Sequence, residues 1–409
     1  MIKRFRLAWQ EYPRQFWLMF WGMMISTLGS SMIWPFLMVY VSGKLKLPLA
    51  TIAGLMTLSA MMGLVSSLFA GPIIDRAGRK WAMVLSLLTN AFGYLLMSQA
   101  STLPQFAAIM ALNGAVNPIF RVSADAMMAD LIPPEKRIDA YSLMRMSNNV
   151  GISLGPAIGG LIASSSYTLA FILAAAGMTT YSLLITIFGR ETLPQRDRKV
   201  KPRQDPLGGY GEILRDKTFM PFIAVFTLVQ VCAAMIWVLL AVYAKTNYGV
   251  PESQYGLIPT TNALMVVFLQ FAITQVTRRF RILPIMATGA LFYAAATLSI
   301  AFGQSFGAFW ISMVIMTIGE LILMPTSSTF AANLAPADKR GRYMGLYGLT
   351  WLVASGTGPI LGVFLNDNLG PRAIWFGGAL VGLASILGFL FLARREKRLL
   401  TAPPPHPVP

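Results

Sequence analysis

Residues 133–160 open with Pro133-Pro134-Glu135-Lys136-Arg137 and close with Gly155-Pro156-Ala157-Ile158-Gly159-Gly160. The same design returns 203 residues later, opening at Pro336-Ala337-Asp338-Lys339-Arg340 and closing at Gly358-Pro359-Ile360-Leu361-Gly362. Both ends keep one offset, so nothing is inserted between them. In each copy a short charged turn leads into an apolar run, long enough to cross hydrocarbon, that ends in Gly-Pro-x-x-Gly. The offset is close to half of 409 residues. The chain reads as two halves of one design, and such repeats in a very apolar protein mark secondary transporters.

Composition excludes a soluble globular domain. Apolar residues make up 56% and charged residues 12%, against about 25% charged in ordinary domains; mean hydropathy is +0.61. The single cysteine, Cys232, sits in an apolar run, so neither a disulfide framework nor a cysteine metal site is expected. The single histidine, His406, falls in a tail read as disordered, which removes histidine catalysis and histidine metal chemistry.

Crossing about 30 Å of hydrocarbon takes about 20 apolar residues. Twelve runs meet that length: 15–42, 51–73, 81–100, 104–131, 140–163, 168–189, 218–244, 254–277, 284–302, 307–333, 343–365 and 372–393. The first is too long for a signal-peptide core and lacks a cleavage site. An even number of spans puts both termini on one side. With that side cytoplasmic, inner segments hold 27 of the 33 basic residues. The outer loops hold Lys44, Lys46, Lys245 and Arg372, while Arg121 and Arg145 lie within spans. This asymmetry predicts both termini inside. It also accounts for the net charge of +17 without nucleic acid.

The loop between spans 2 and 3 reads Gly71-Pro-Ile-Ile-Asp75-Arg76-Ala-Gly78-Arg79-Lys80. A plain positive-inside turn explains Arg76, Arg79 and Lys80 but not Gly71, Asp75 and Gly78. Physically, Gly71 permits close helix contact and Gly78 a tight turn. The loop resembles the major facilitator superfamily signature Gly-x-x-x-Asp-Arg-x-Gly-Arg-Lys at every defining position. The resemblance implies a latch that holds the two halves in the outward-facing state. It implies that Asp75 meets the start of span 11 and that Arg79 pairs with an acid at the inner end of span 4, where Asp130 stands. The equivalent loop of the second half, Arg278-Arg279-Phe280-Arg281, keeps the charge but lacks the acid and the glycines, so the latch is expected to be asymmetric.

Span 5 carries Gly151-Ile-Ser-Leu-Gly155-Pro156-Ala-Ile-Gly159-Gly160. Small residues let helices approach and proline bends them. The run resembles the motif of the superfamily's antiporter branch, which includes twelve-helix drug/proton exporters. Two features depart from that branch. Met110 stands where such exporters carry an arginine ahead of a Gln-Gly, here Asn113-Gly114, and span 1 offers no membrane acid.

Intramembrane charges are costly and mark function by default. Arg121 and Asp125 are four residues apart on span 4, at ion-pair spacing, and read equally as a structural pair or a transport element. Arg145 lies shallower in span 5 and either joins them or snorkels. Glu320 is mid-span in span 10 with no basic residue within four positions. Desolvation there favours the protonated acid, making Glu320 the first candidate proton carrier, with Asp125 and Arg121 next. Its repeat mate is Asn117, expected across the pseudo-twofold. Trp34, Asn117, Asn148, Asn149, Gln230, Trp237, Asn262 and Trp351 are the candidate cavity residues.

The reading is an all-α integral membrane protein with twelve transmembrane helices in two pseudo-symmetric six-helix bundles, 1–189 and 218–393. A cytoplasmic linker, 190–217, joins them, and 394–409 is a disordered tail. It implies a monomeric inner-membrane transporter without cofactor or metal, moving a small molecule against protons by alternating access. Efflux of lipophilic or amphipathic compounds leads; uptake symport, lipid flipping, or a non-transporting receptor or enzyme are the rivals. No nucleotide-binding Gly-x-x-x-x-Gly-Lys-Ser/Thr motif occurs, so a gradient drives it.

Overall fold

In hydrocarbon the backbone must satisfy its own hydrogen bonds, so each long apolar run has to become a helix. The computed structural model describes residues 11–133, 136–193, 210–336 and 339–401. Among them are twelve long helices. Spans 1 to 6 are Arg14–Leu45, Leu49–Ala77, Arg79–Gln99, Leu103–Leu131, Arg137–Ala163 and Tyr167–Phe188. Spans 7 to 12 are Phe219–Tyr248, Glu252–Thr277, Ile282–Phe302, Phe306–Leu334, Arg340–Leu369 and Ala373–Thr401. Eleven contain windows apolar enough to cross a membrane by composition alone. The twelfth, span 5, is the one diluted by Arg145, Ser147, Asn148 and Asn149.

The halves are in register. Spans 2 and 8 start at Leu49 and Glu252, spans 3 and 9 at Arg79 and Ile282, spans 4 and 10 at Leu103 and Phe306, and spans 5 and 11 at Arg137 and Arg340. Every pair is separated by the offset already seen between Pro133 and Pro336. Two local breaks depart from the mirror. Pro35 forces a 3-10 turn, Trp34–Phe36, into span 1, whereas span 7 is unbroken. Span 12 runs on to Thr401, so residues 394–401 are helix rather than tail; Arg394, Arg395 and Lys397 are good helix formers that carry it past the apolar region. Residues 402–409, with His406, and linker residues 194–209 lie outside the described set.

Glycines set how closely span 5 lies on span 1. A Cβ at Gly151 would sit 2.8 Å from the Leu28 nitrogen, and one at Gly159 would run into the Met32 backbone. Gly155 faces Ser31, whose hydroxyl donates to the Gly151 carbonyl at 2.9 Å. The glycines of the kink are therefore packing positions.

Contacts between the halves gather toward the face opposite the termini, hereafter the far face. Thr57 of span 2 donates to the Gly356 carbonyl of span 11 at 2.7 Å. Trp34 meets Trp237 with ring centroids 6.0 Å apart, and Phe36 meets Tyr255 edge-on at 5.9 Å. Gly160 of span 5 abuts the Glu252 backbone of span 8, and Gly256 abuts the Pro156 carbonyl.

Candidate translocation site and latch

Span 10 delivers Glu320 to mid-membrane, and Thr317, three residues earlier, shares its face. Span 8 packs alongside and supplies Asn262, which is buried. The Asn262 amide donates to Glu320 Oε2 at 2.7 Å and to Thr317 Oγ1 at 2.9 Å. Thr317 spends its own proton on the Met313 carbonyl at 2.7 Å, which leaves its lone pairs to accept. Glu320 is only half-buried, so part of its carboxyl remains open. The Arg145 guanidinium of the first half lies within electrostatic reach of both Glu320 and Tyr347. Tyr347 and Ser327 share a hydrogen bond at 2.8 Å on the second-half side. Arg145 is exposed and forms no ion pair among the described residues.

The first half contributes a polar stripe. Asn117, Arg121 and Asp125 are all exposed, along one face of span 4. Arg121 and Asp125 interact electrostatically but form no direct ion pair, contrary to the spacing argument. An arginine four residues before its acid is the less favourable order on a helix. Asn117 makes no hydrogen bond among the described residues and does not reach Glu320, whose partner Asn262 belongs to its own half. Thr27 donates to Asn148 Oδ1 at 3.0 Å, tying span 1 to span 5. Asn149 and Trp351 are half-buried, and Gln230 is buried with its Oε1 unpartnered among the described residues.

At the termini-bearing face, Gly78 takes φ +86°, a conformation glycine adopts readily, and ends span 2. Arg79 forms an ion pair with Asp130 and donates to the Ala126 carbonyl at 3.3 Å. Glu191, the third residue after span 6, accepts the N–H groups of Arg79 and Lys80, each at 3.0 Å. It caps span 3, where anions are favoured, and a side chain at Gly78 would strike it. Lys80 donates to the Thr186 carbonyl at 2.9 Å, and Arg76 is exposed. A Cβ at Gly71 would meet nothing within 4 Å, so this glycine makes no close helix contact in this conformation. The Asp75 side chain lies outside the described set.

Sequence reasoning missed Glu191 and Glu252. Each stands at a span boundary, where an acid reads as ordinary loop charge.

The profile of the Major Facilitator Superfamily matches residues 19–251 and 226–408, one match for each half. The chain belongs to the Major Facilitator Superfamily. It is a membrane transporter and not an enzyme. Among similar proteins of this superfamily is the uncharacterized MFS-type transporter YqjV of Bacillus subtilis (strain 168), 25% identical over 96% of this chain and 97% of that one. The Na(+), Li(+), K(+)/H(+) antiporter of Planococcus maritimus is 24% identical over 88% and 91%. The multidrug resistance protein MdtH of Escherichia coli O1:K1 / APEC is 24% identical over 81% and 83%. Of solved superfamily folds, a POT family transporter superposes with TM-score 0.79 at 17% identity, covering 95% and 97%. The nucleoside transporter NupG gives 0.80 at 12% identity, covering 93% and 100%. At such identities the superpositions speak to fold alone.

Proposed function

We propose that this transporter is a proton-coupled antiporter that exports small lipophilic or amphipathic compounds across the bacterial inner membrane, with both termini cytoplasmic. The observation that carries the reading is Glu320, a mid-membrane acid held by Asn262 and faced across the halves by Arg145. A carboxyl there can hold a proton in one conformation and give it up when Arg145 or water approaches. The antiporter-type kink of span 5, with a cation/proton antiporter and a multidrug resistance protein among the relatives, supports the export direction. A second reading, uptake of a polar solute, draws on the polar stripe Asn117, Arg121 and Asp125. Arg79, Asp130 and Asp75 serve as the conformational latch.

The test compares gradient-driven transport with substrate exchange at equal pH in proteoliposomes, across lipophilic cations, neutral drugs and polar metabolites. Glu320→Gln mimics the protonated acid, so it should retain exchange and lose gradient-driven transport. Full gradient-driven transport in Glu320→Gln would move coupling to Asp125 and Arg121. Uptake of a polar solute would replace export.

A further inference from the structure

Glu252 opens span 8 at the far face, with 6% of its surface exposed. A buried carboxylate is tolerated only with partners. Glu252 has two, and they come from different halves. Lys245, near the end of span 7, forms an ion pair with it from its own half. Tyr167, the first residue of span 6, donates its hydroxyl to the same Oε1 at 2.6 Å from the other half.

The surroundings make this bond a clasp between rigid bodies. The Tyr167 ring packs against Tyr40 with centroids 5.1 Å apart, and the Tyr40 hydroxyl donates to the Met97 carbonyl at 3.1 Å. Lys44, the other cation here, lies 3.3 Å from that hydroxyl. On the opposite side the Glu252 backbone rests on Gly160, where no side chain fits.

We infer that Glu252 is the gate residue of the far face: Tyr167 binds it to close the gate and releases it to open, while Lys245 keeps it paired in both states. The chemistry suits a reversible bond. Of the carboxylate's two partners, parting the halves removes only Tyr167, and the carboxylate moves away with its cation. A purely structural ion pair would have no need of a donor from the other half. The inference rests on the alternating-access reading but requires neither Glu320 nor a known substrate.

Spin labels at Ser101→Cys and Gln304→Cys, exposed far-face sites in opposite halves, report the gate in lipid nanodiscs by pulsed electron paramagnetic resonance. Cys232 is fully buried and stays. Tyr167→Phe deletes the hydroxyl and keeps the ring. It should raise the long-distance, open population on the order of tenfold, the worth of one hydrogen bond to a charged group. Glu252→Ala should open the gate likewise, and adding Tyr167→Phe to it should change nothing further. A parent-like distance distribution in folded Tyr167→Phe overturns the proposal even if Glu252→Ala fails to fold, and so do additive effects. Loss of proton coupling in Glu320→Gln is read by transport instead, so either result can fail alone.

Discussion

Trp34 and Trp237 occupy equivalent places in the two halves, and their rings meet 6.0 Å apart at 54°. Each lies 11 residues before the end of its span, at Leu45 and Tyr248. One sits in the 3-10 turn made by Pro35 and the other in continuous helix. Related positions on unlike backbones thus build one plug on the pseudo-twofold axis.

Removing half of this plug should loosen the far face. An aromatic pair contributes about 0.5–1.5 kcal/mol beyond its area, or up to about tenfold in an equilibrium. Trp237→Ala should therefore speed labelling of Ala60→Cys by an impermeant thiol reagent applied at the far face. Ala60 lies on span 2 beside Gly356, beneath the seam. Unchanged labelling would show that the tryptophans line the path without sealing it.

The Arg79–Asp130 pair is partly exposed, so its loss should cost less than about 1 kcal/mol of stability. Transport should suffer more, because a latch shifts the balance between conformations. Asp130→Asn and Arg79→Ala should each lower initial rates several-fold with little change in Tm, and the double variant should be no worse than either. Asp75→Asn should behave in the same way. Parent-like rates in all of them would remove the latch role.

Orientation is open to labelling in intact cells. Lys44→Cys, near the end of span 1, should react with an impermeant thiol reagent, and Lys199→Cys in the linker should not. The reverse pattern would place the termini outside.

Asp216 caps span 7 and supplies a pH test away from the membrane interior. Burial acts to raise its carboxyl, but the N–H groups of Phe219 and Thr218 at 2.9 and 2.8 Å, with the Tyr343 hydroxyl at 2.8 Å, hold it below the ordinary value. A depressed folded value means the stabilisation is full above the unfolded value of about 3.9 and fades as pH falls through the folded one. Asp216→Ala should cost about 1 kcal/mol near neutrality. Its Tm deficit in detergent should narrow below about pH 4; a constant deficit would mean the charge contributes nothing.

Span positions were legible because hydropathy is a one-dimensional property, and span 5 could be counted despite its polar residues because its repeat mate is apolar. The signature loop likewise placed Arg79 opposite Asp130 before any coordinates. Partners on different helices were not legible. Asn262 and Glu320 are 58 residues apart and Tyr167 and Glu252 are 85 apart, and only packing joins them. The pairing expected of Arg121 and Asp125 applied a local rule to the weaker orientation. The Trp34–Trp237 match was present in the repeat arithmetic, yet their contact depends on where the axis runs.

The glycines of span 5 have a further consequence. In the first half, side chains at Gly151 and Gly159 would strike the backbone of span 1. In the second half, a side chain at Gly362 would meet the Leu239 side chain, which can turn away, while Gly358 has 3.0 Å to the Val231 carbonyl. The same Gly-Pro motif therefore welds spans 1 and 5 but only cushions spans 7 and 11. Spans 7 and 11 can thus shift against one another by turning a side chain, while spans 1 and 5 can move only as one body.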